Sequence, residues 1–291
     1  MLKRSMYFLS SLFLASCLFV VSIPALADMR NVPLAEVLLQ AKKGNPEAQD
    51  ELGFRYSIGL DVDQDYVQAA KWYLSAAEQG HAKAQNEIAG FYDKGIGVPR
   101  DQRRAVYWYE KAATQGYPPA QYNLSLKLIL GEGVKRDAIR STSWLRSAAE
   151  SGKAPQAECN LGVRYLNGVG LKKDLREATR WFRKSADHGY PLAMFNMASS
   201  YVRGDGVNRD LVQAYKWLYL STGAGAKQKL VFERAKTEAR MGHSETTLWL
   251  YPLEGAQLRK AQKGLEILRE SMTESQVSEA IKQADNWSPK E

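Results

Sequence analysis

The chain is poor in the side chains from which most active sites and covalent cross-links are made. Only two cysteines occur in 291 residues, Cys17 and Cys159. Cys17 lies in an apolar N-terminal stretch with the character of a leader. A mature chain would then keep one thiol, form no internal disulfide, and draw its stability from packing. The three histidines, His81, His188 and His243, are too scattered for metal-ligand or triad spacing. No nucleophile elbow, P-loop or dinucleotide motif is present. These absences argue against an enzyme, and neither a cofactor nor a metal is expected. Past the N-terminus no apolar run approaches the length of a spanning helix, so no membrane-spanning segment is expected in the mature chain. The formal charge of +8 favours acidic proteins or anionic polymers as partners and falls well short of a nucleic-acid-binding signature.

The N-terminus has the order of an export signal. Lys3 and Arg4 supply the positive region, residues 7–21 the apolar stretch, and Ala25-Leu26-Ala27 a small-x-small cleavage site. Removal of residues 1–27 leaves 264 residues with a formal charge of +6 and a periplasmic or secreted destination. A competing pattern, Leu14-Ala15-Ser16-Cys17, resembles a bacterial lipobox and would make a lipidated Cys17 the mature N-terminus. Against it, the apolar run continues through Leu18, Phe19, Val20 and Val21.

What the chain has in quantity is periodicity. Trp72, Trp108, Trp144, Trp181 and Trp217 stand 36, 36, 37 and 36 residues apart, the mark of stacked helical repeats that bury their apolar faces against one another. Five units follow: 44–79, 80–115, 116–151, 152–188 and 189–225. Each opens on a glycine, and the fourth carries one inserted residue. Within a unit, Ala48, Leu52 and Tyr56 and their counterparts fall on one stripe of a first helix. Gly53, Ala89, Ser125, Gly162 and Ala198 keep one position small, so that two helices can approach closely. A turn with two glycines, Gly95 and Gly97 in the second unit, precedes an aspartate in every unit: Asp65, Asp101, Asp137, Asp174 and Asp210. One aspartate per unit is the distribution of helix N-caps. The second helix carries alanines and the tryptophan at helical spacing, which predicts a core ladder. Cys159 shares a position with Tyr122 and Phe195 and is expected to be buried. His81 and His188 fall beside unit junctions and are expected at the surface. Residues 28–43 are expected to contain an N-terminal capping helix over 31–43. Residues 226–291 should hold a degenerate sixth first-helix at 227–240, a rhythm-breaking loop at 243–255 with Trp249 and Tyr251, and two capping helices. Thr273 and Gln276 would form a capping box.

The succession glycine, Ala-Gln, Leu-Gly, Tyr, Gly-x-Gly-Val, Asp, Ala, Trp-Tyr, Ala-Ala resembles the Sel1-like repeat family, a relative of tetratricopeptide repeats. The resemblance covers residues 44–225. It implies an all-α fold, an α/α superhelical solenoid of helix pairs with a concave inner face, and adaptor roles in the bacterial envelope, in signalling or in host interaction. The cysteines that bridge each repeat in some members are missing here.

Two ladders are candidates for binding. Arg100, Arg136, Lys173 and Arg209 each precede a capping aspartate and form a basic edge, or else are solvated turn residues beside neutralising acids. Asn123 with Lys127 and Asn160 with Arg164 stand four apart on first helices, joined by Asn196. Related tetratricopeptide domains clamp acidic peptides with Asn and Lys on that face, but the same asparagines would also serve to bond neighbouring backbone. The leading function is a non-enzymatic, exported scaffold that holds a protein partner in its groove. A module for peptidoglycan or exopolysaccharide is the alternative, and an envelope hydrolase the third. Mass spectrometry of the exported protein should find Asp28 as its first residue; a diacylated Cys17 would contradict cleavage after Ala27.

Overall fold

Each unit contains two helical stripes separated by a glycine-containing turn, and each stripe becomes a helix. The computed structural model describes residues 29–224 and 253–290. Among these it contains thirteen α-helices, one short 3-10 helix at Met29–Asn31 and no strand. The opening helix is α1, Leu34–Lys42. The five units supply α2 (Pro46–Ile58) with α3 (Tyr66–Glu78), α4 (Ala82–Lys94) with α5 (Gln102–Thr114), and α6 (Pro118–Leu130) with α7 (Ala138–Glu150). They continue with α8 (Pro155–Asn167) and α9 (Leu175–Asp187), then α10 (Pro191–Arg203) and α11 (Leu211–Ser221). Every helix of this series packs on the helix before it and the helix after it, which is an α/α solenoid. The leader and the segment 225–252, including the sixth first-helix and most of the 243–255 loop, lie outside the described residues.

The close approach within a unit follows from the small position. A Cβ added to Gly53 would stand 2.8 Å from the Tyr73 ring, and one on Gly162 would stand 2.7 Å from the Phe182 ring. Each second helix is started by its aspartate. Asp101 Oδ1 accepts the amides of Arg103 and Arg104 at 3.0 Å, and Asp65, Asp137 and Asp174 repeat the arrangement; Asp210 accepts one amide, that of Gln213. These bonds satisfy donors that no helical carbonyl can reach.

The turn between the helices also joins one unit to the next. Its second glycine has positive φ, +71° at Gly133, and a Cβ there would stand 2.2 Å from the carbonyl oxygen of Gln102, the first residue of the preceding unit's second helix. Gly97, Gly170 and Gly206 meet Tyr66, Ala138 and Leu175 in the same way. Thr142 and Thr179 reinforce two of these seams, donating to the carbonyls of Val169 at 3.0 Å and Asp205 at 2.7 Å. The first unit has no preceding second helix, and there Asp61 replaces the glycine at φ +59°. Its carboxylate is used instead to accept from Arg55 at 3.1 Å.

The expectation that the tryptophans are the deepest core is corrected. Trp72, Trp108, Trp144 and Trp181 are only partly buried. The next residue along, Tyr73, Tyr109, Leu145 or Phe182, takes the buried place. Trp217 alone is fully buried, because the chain's end covers it: α12 (Gly255–Glu270) and α13 (Glu274–Asp285) pack on α11, and Trp287 meets the Trp217 ring edge-on at 6.1 Å. The capping box at the start of α13, Thr273 with Gln276, is present. Lys290 holds the tail to α9, donating to both the carbonyl and the carboxylate of Asp187. At the other end, Val37 and Ala41 of α1 close the first unit over Ala48 and Leu52.

Gly116 also has positive φ, +82°, yet a Cβ there would meet nothing within 4 Å. Gly116→Ala should therefore cost the backbone term alone, about 1–2 kcal/mol. Gly133→Ala adds overpacking against a carbonyl and should cost on the order of 3 kcal/mol or more. Chemical denaturation of the two variants checks this, and equal costs would mean the turn is not seated on the neighbouring unit.

Candidate interaction surface

The first helices carry the ladder of Asn123, Lys127, Asn160, Arg164 and Asn196, and many of their polar groups are organised by contacts between helices. At the Ala-Gln position, Gln85 Nε2 donates to the carbonyl of Ala77 at 3.0 Å, and Gln121 does the same to Ala113 at 3.2 Å. The glutamine that ends the second helix completes the pair: Gln115 Nε2 donates to Gln85 Oε1 at 2.7 Å. The fourth unit departs from this. Glu158 stands where the first three units have glutamine, fully buried, and His188 takes the place of the partner glutamine at 2.8 Å. A carboxylate cannot donate to the Ala149 carbonyl, and Lys184 does so instead, at 3.2 Å, while its ammonium lies 3.0 Å from the other oxygen of Glu158. His188 is thus part of an internal ionic seam and not the plain surface residue expected. His81 differs too: its Nδ1 accepts the Ala84 amide at 3.3 Å and caps α4.

The asparagine ladder links one first helix to the previous one. Asn123 donates to Asn86 at 3.0 Å, Asn160 to the Tyr122 hydroxyl at 2.9 Å, and Asn196 to the Cys159 sulfur at 3.5 Å. Each bond spans one unit, and each uses the side-chain amide that a peptide clamp would need.

The cations of this face fall at one register, Arg55 in α2, Lys127 in α6 and Arg164 in α8. Arg55 is 1% exposed and donates to Glu51 at 2.8 Å, to Asp61, and to the carbonyls of Met29 and Val32. Burial, opposed by Arg55, raises the Glu51 carboxyl above its usual range. Lys127 is 7% exposed and is held by Asp93 from the preceding unit and by Glu132 at 2.7 Å from its own turn. It is a structural cation, a role hidden at the level of sequence because one of its partners lies 34 residues away. Arg164 is half-buried, and among the described residues its side chain donates one hydrogen bond, to Ser141 Oγ at 3.3 Å. Burial, and Arg136 nearby, lower its pKa.

Arg100, Arg136, Lys173 and Arg209 are all exposed on equivalent turns. The Cβ atoms of the first three lie close over the first glycine of their own turns. Arg100 and Arg103 share an open recess with Glu132 between the turns of the second and third units. The two ladders therefore differ in kind. The edge cations are exposed, Arg100 donating to the carbonyl of Asp93 at 3.0 Å, whereas the asparagines and Lys127 are occupied by seam contacts. Arg55 and the Glu158–Lys184 pair are the residues that sequence reasoning missed; the available signals were a third cation at the register of Lys127 and Arg164, and a carboxylate at a register held by glutamine in the first three units.

Residues 46–81, 82–117, 118–153, 155–190 and 191–225 match the family model described as Sel1 repeat, more than half of the chain, and the chain belongs to the Sel1 repeat family. Among solved structures it is similar to a Sel1 repeat protein from Oxalobacter formigenes. The two are 29% identical with a TM-score of 0.62, over 82% of this chain and 93% of that one. It is also similar to a protective antigen with an SLR fold from uropathogenic Escherichia coli, at 27% identity and a TM-score of 0.46, over 88% of this chain and 65% of that one. No curated protein matches the chain. Sel1 repeat solenoids are generally non-catalytic protein-binding scaffolds. No helix among the described residues is long and apolar enough to cross a membrane.

Burial shifts several groups of this array toward their neutral forms. Burial pushes the Tyr109 and Tyr190 phenols upward and the Cys159 thiol up to about 12. Because the thiolate is the reactive species, native protein at pH 8 should resist alkylation at Cys159, while denatured protein should react at the rate of a free thiol. Mass spectrometry after brief iodoacetamide treatment reads the difference, and rapid labelling of the native chain would contradict burial.

Proposed function

We propose that this protein is an exported scaffold of the bacterial envelope that binds an acidic protein partner along its solenoid. The observation that carries the reading is the repeated, exposed basic residue at the turns, Arg100, Arg136, Lys173 and Arg209, on an array whose inner-face Asn123, Asn160 and Lys127 are used internally. A series of like charges at one place per unit suits an extended segment, since each unit adds one contact. Complementary charge raises association rate and selects partners more than it adds affinity. The N-terminal signal pattern supports export, and the family supports protein binding.

Crosslinking of the mature chain in envelope extract, followed by sizing of the purified product, tests this directly. A protein complex of fixed stoichiometry is expected, and it should weaken as salt rises because exposed pairs are screened over about 8 Å at physiological ionic strength. Charge reversal of Arg100, Arg136, Lys173 and Arg209 together should abolish the complex with the melting temperature unchanged. Sedimentation with purified sacculi in the absence of any protein complex would replace this reading with a glycan-binding one.

A further inference from the structure

The first-helix cations at one register invite comparison, because two of the three are neutralised by the chain itself and the third is not. Arg55 has Glu51 and Asp61; Lys127 has Asp93 and Glu132. In the fourth unit the residues at those registers carry no carboxylate. Ile129 stands where Asp93 does and Val169 where Glu132 does, while Asn160 and Gly170 replace Glu51 and Asp61. The backbone around them is the same: the amide of Val169 donates to the Arg164 carbonyl at 3.1 Å, as that of Glu132 donates to Lys127 at 3.2 Å. Arg164 therefore occupies a site that elsewhere in the array holds an ion pair.

We propose that Arg164, with the exposed Arg136 beside it, is the seat for one carboxylate of the partner protein, an Asp or Glu side chain that completes the fourth unit from outside. This deepens the scaffold reading and rests on it. A guanidinium presents five N–H donors in a planar fork that matches a carboxylate with two parallel bonds. Arg164 has committed one side-chain bond, to Ser141, and the residue remains partly exposed. Two like charges side by side, one of them half-buried, are relieved by an anion. Burial and Arg136 already act against the charged form of Arg164, so a bound carboxylate gains most at this point of the face.

The test uses the mature full-length chain and a fluorescein-labelled hexaglutamate peptide, with binding read by anisotropy at low salt. Arg164→Gln should weaken binding at least tenfold, and Lys71→Gln, an exposed cation on α3 in neither ladder, less than twofold. Val169→Glu should weaken binding as much as Arg164→Gln, because it places an internal carboxylate where Glu132 serves Lys127, and its melting temperature should equal or exceed that of the unaltered chain. This variant separates occupation of the seat from damage to the fold. Equal losses for Arg164→Gln and Lys71→Gln would show diffuse attraction and overturn the seat, as would no loss in Val169→Glu at an unchanged or raised melting temperature. Failure of the unaltered chain to bind the peptide would overturn the seat as well. It would leave the scaffold reading to the crosslinking experiment, which does not depend on this residue.

Discussion

The contact on which the structure depends is the seating of each two-glycine turn against the first carbonyl of the preceding second helix. It leaves no room for a side chain, as the 2.2 Å clearance from a Cβ at Gly133 to Gln102 shows. Such a contact fixes the distance between consecutive units more tightly than apolar packing does, since alanine and leucine faces tolerate sliding that a backbone-to-backbone contact does not. The small residue of each first helix fixes the spacing within a unit in the same manner. With both spacings set, the alanines, the buried aromatic or leucine and the cross-unit asparagines fall into register. The first unit, which has no preceding second helix, is the exception that shows the cause: there Asp61 stands in place of glycine and binds Arg55.

Regular geometry along the array brings charged groups to equivalent places, and the chain treats them unequally. Arg55 and Lys127 are enclosed with carboxylates, and the buried Glu158 is met by Lys184 and His188. Burying a charge without a partner is costly, so pairs of this kind are held by the loss that breaking them would bring more than by a net gain in stability. The exposed turn cations face no such cost and keep their hydration until a partner arrives. On the proposed reading, stability and recognition fall to different residues of the same repeat.

Much of the architecture was legible because it is written once per unit. The tryptophan spacing, the capping aspartates, the two-glycine turn and the obligatorily small position each recur, and a feature that recurs at one register has a structural cause in every unit. The depth of the tryptophans was misread because Trp72 and Tyr73 are adjacent and both aromatic: one step along a helix turns about 100°, and periodicity alone does not say which of two neighbours faces inward. The roles of Lys127 and Glu158 were hidden for a different reason. Asp93 lies in another unit, 34 residues from Lys127, and His188 at the far end of the same unit, 30 residues from Glu158, and a comparison of equivalent positions sees what is common to the units, not which positions meet. The asparagines allowed two readings at the level of sequence, and the distances to Asn86, Tyr122 and Cys159 show them as cross-unit bonds.

If the turn seat couples neighbouring units, a disturbance at one seat must be felt on both sides of it and fade beyond. Hydrogen exchange followed by mass spectrometry, comparing the unaltered chain with Gly133→Ala, measures this directly. The account predicts faster exchange in α4 through α7, the two units joined at Gly133, with α10 and α11 little changed. Acceleration confined to the turn at residues 131–137, with α4 and α5 as protected as before, would contradict it.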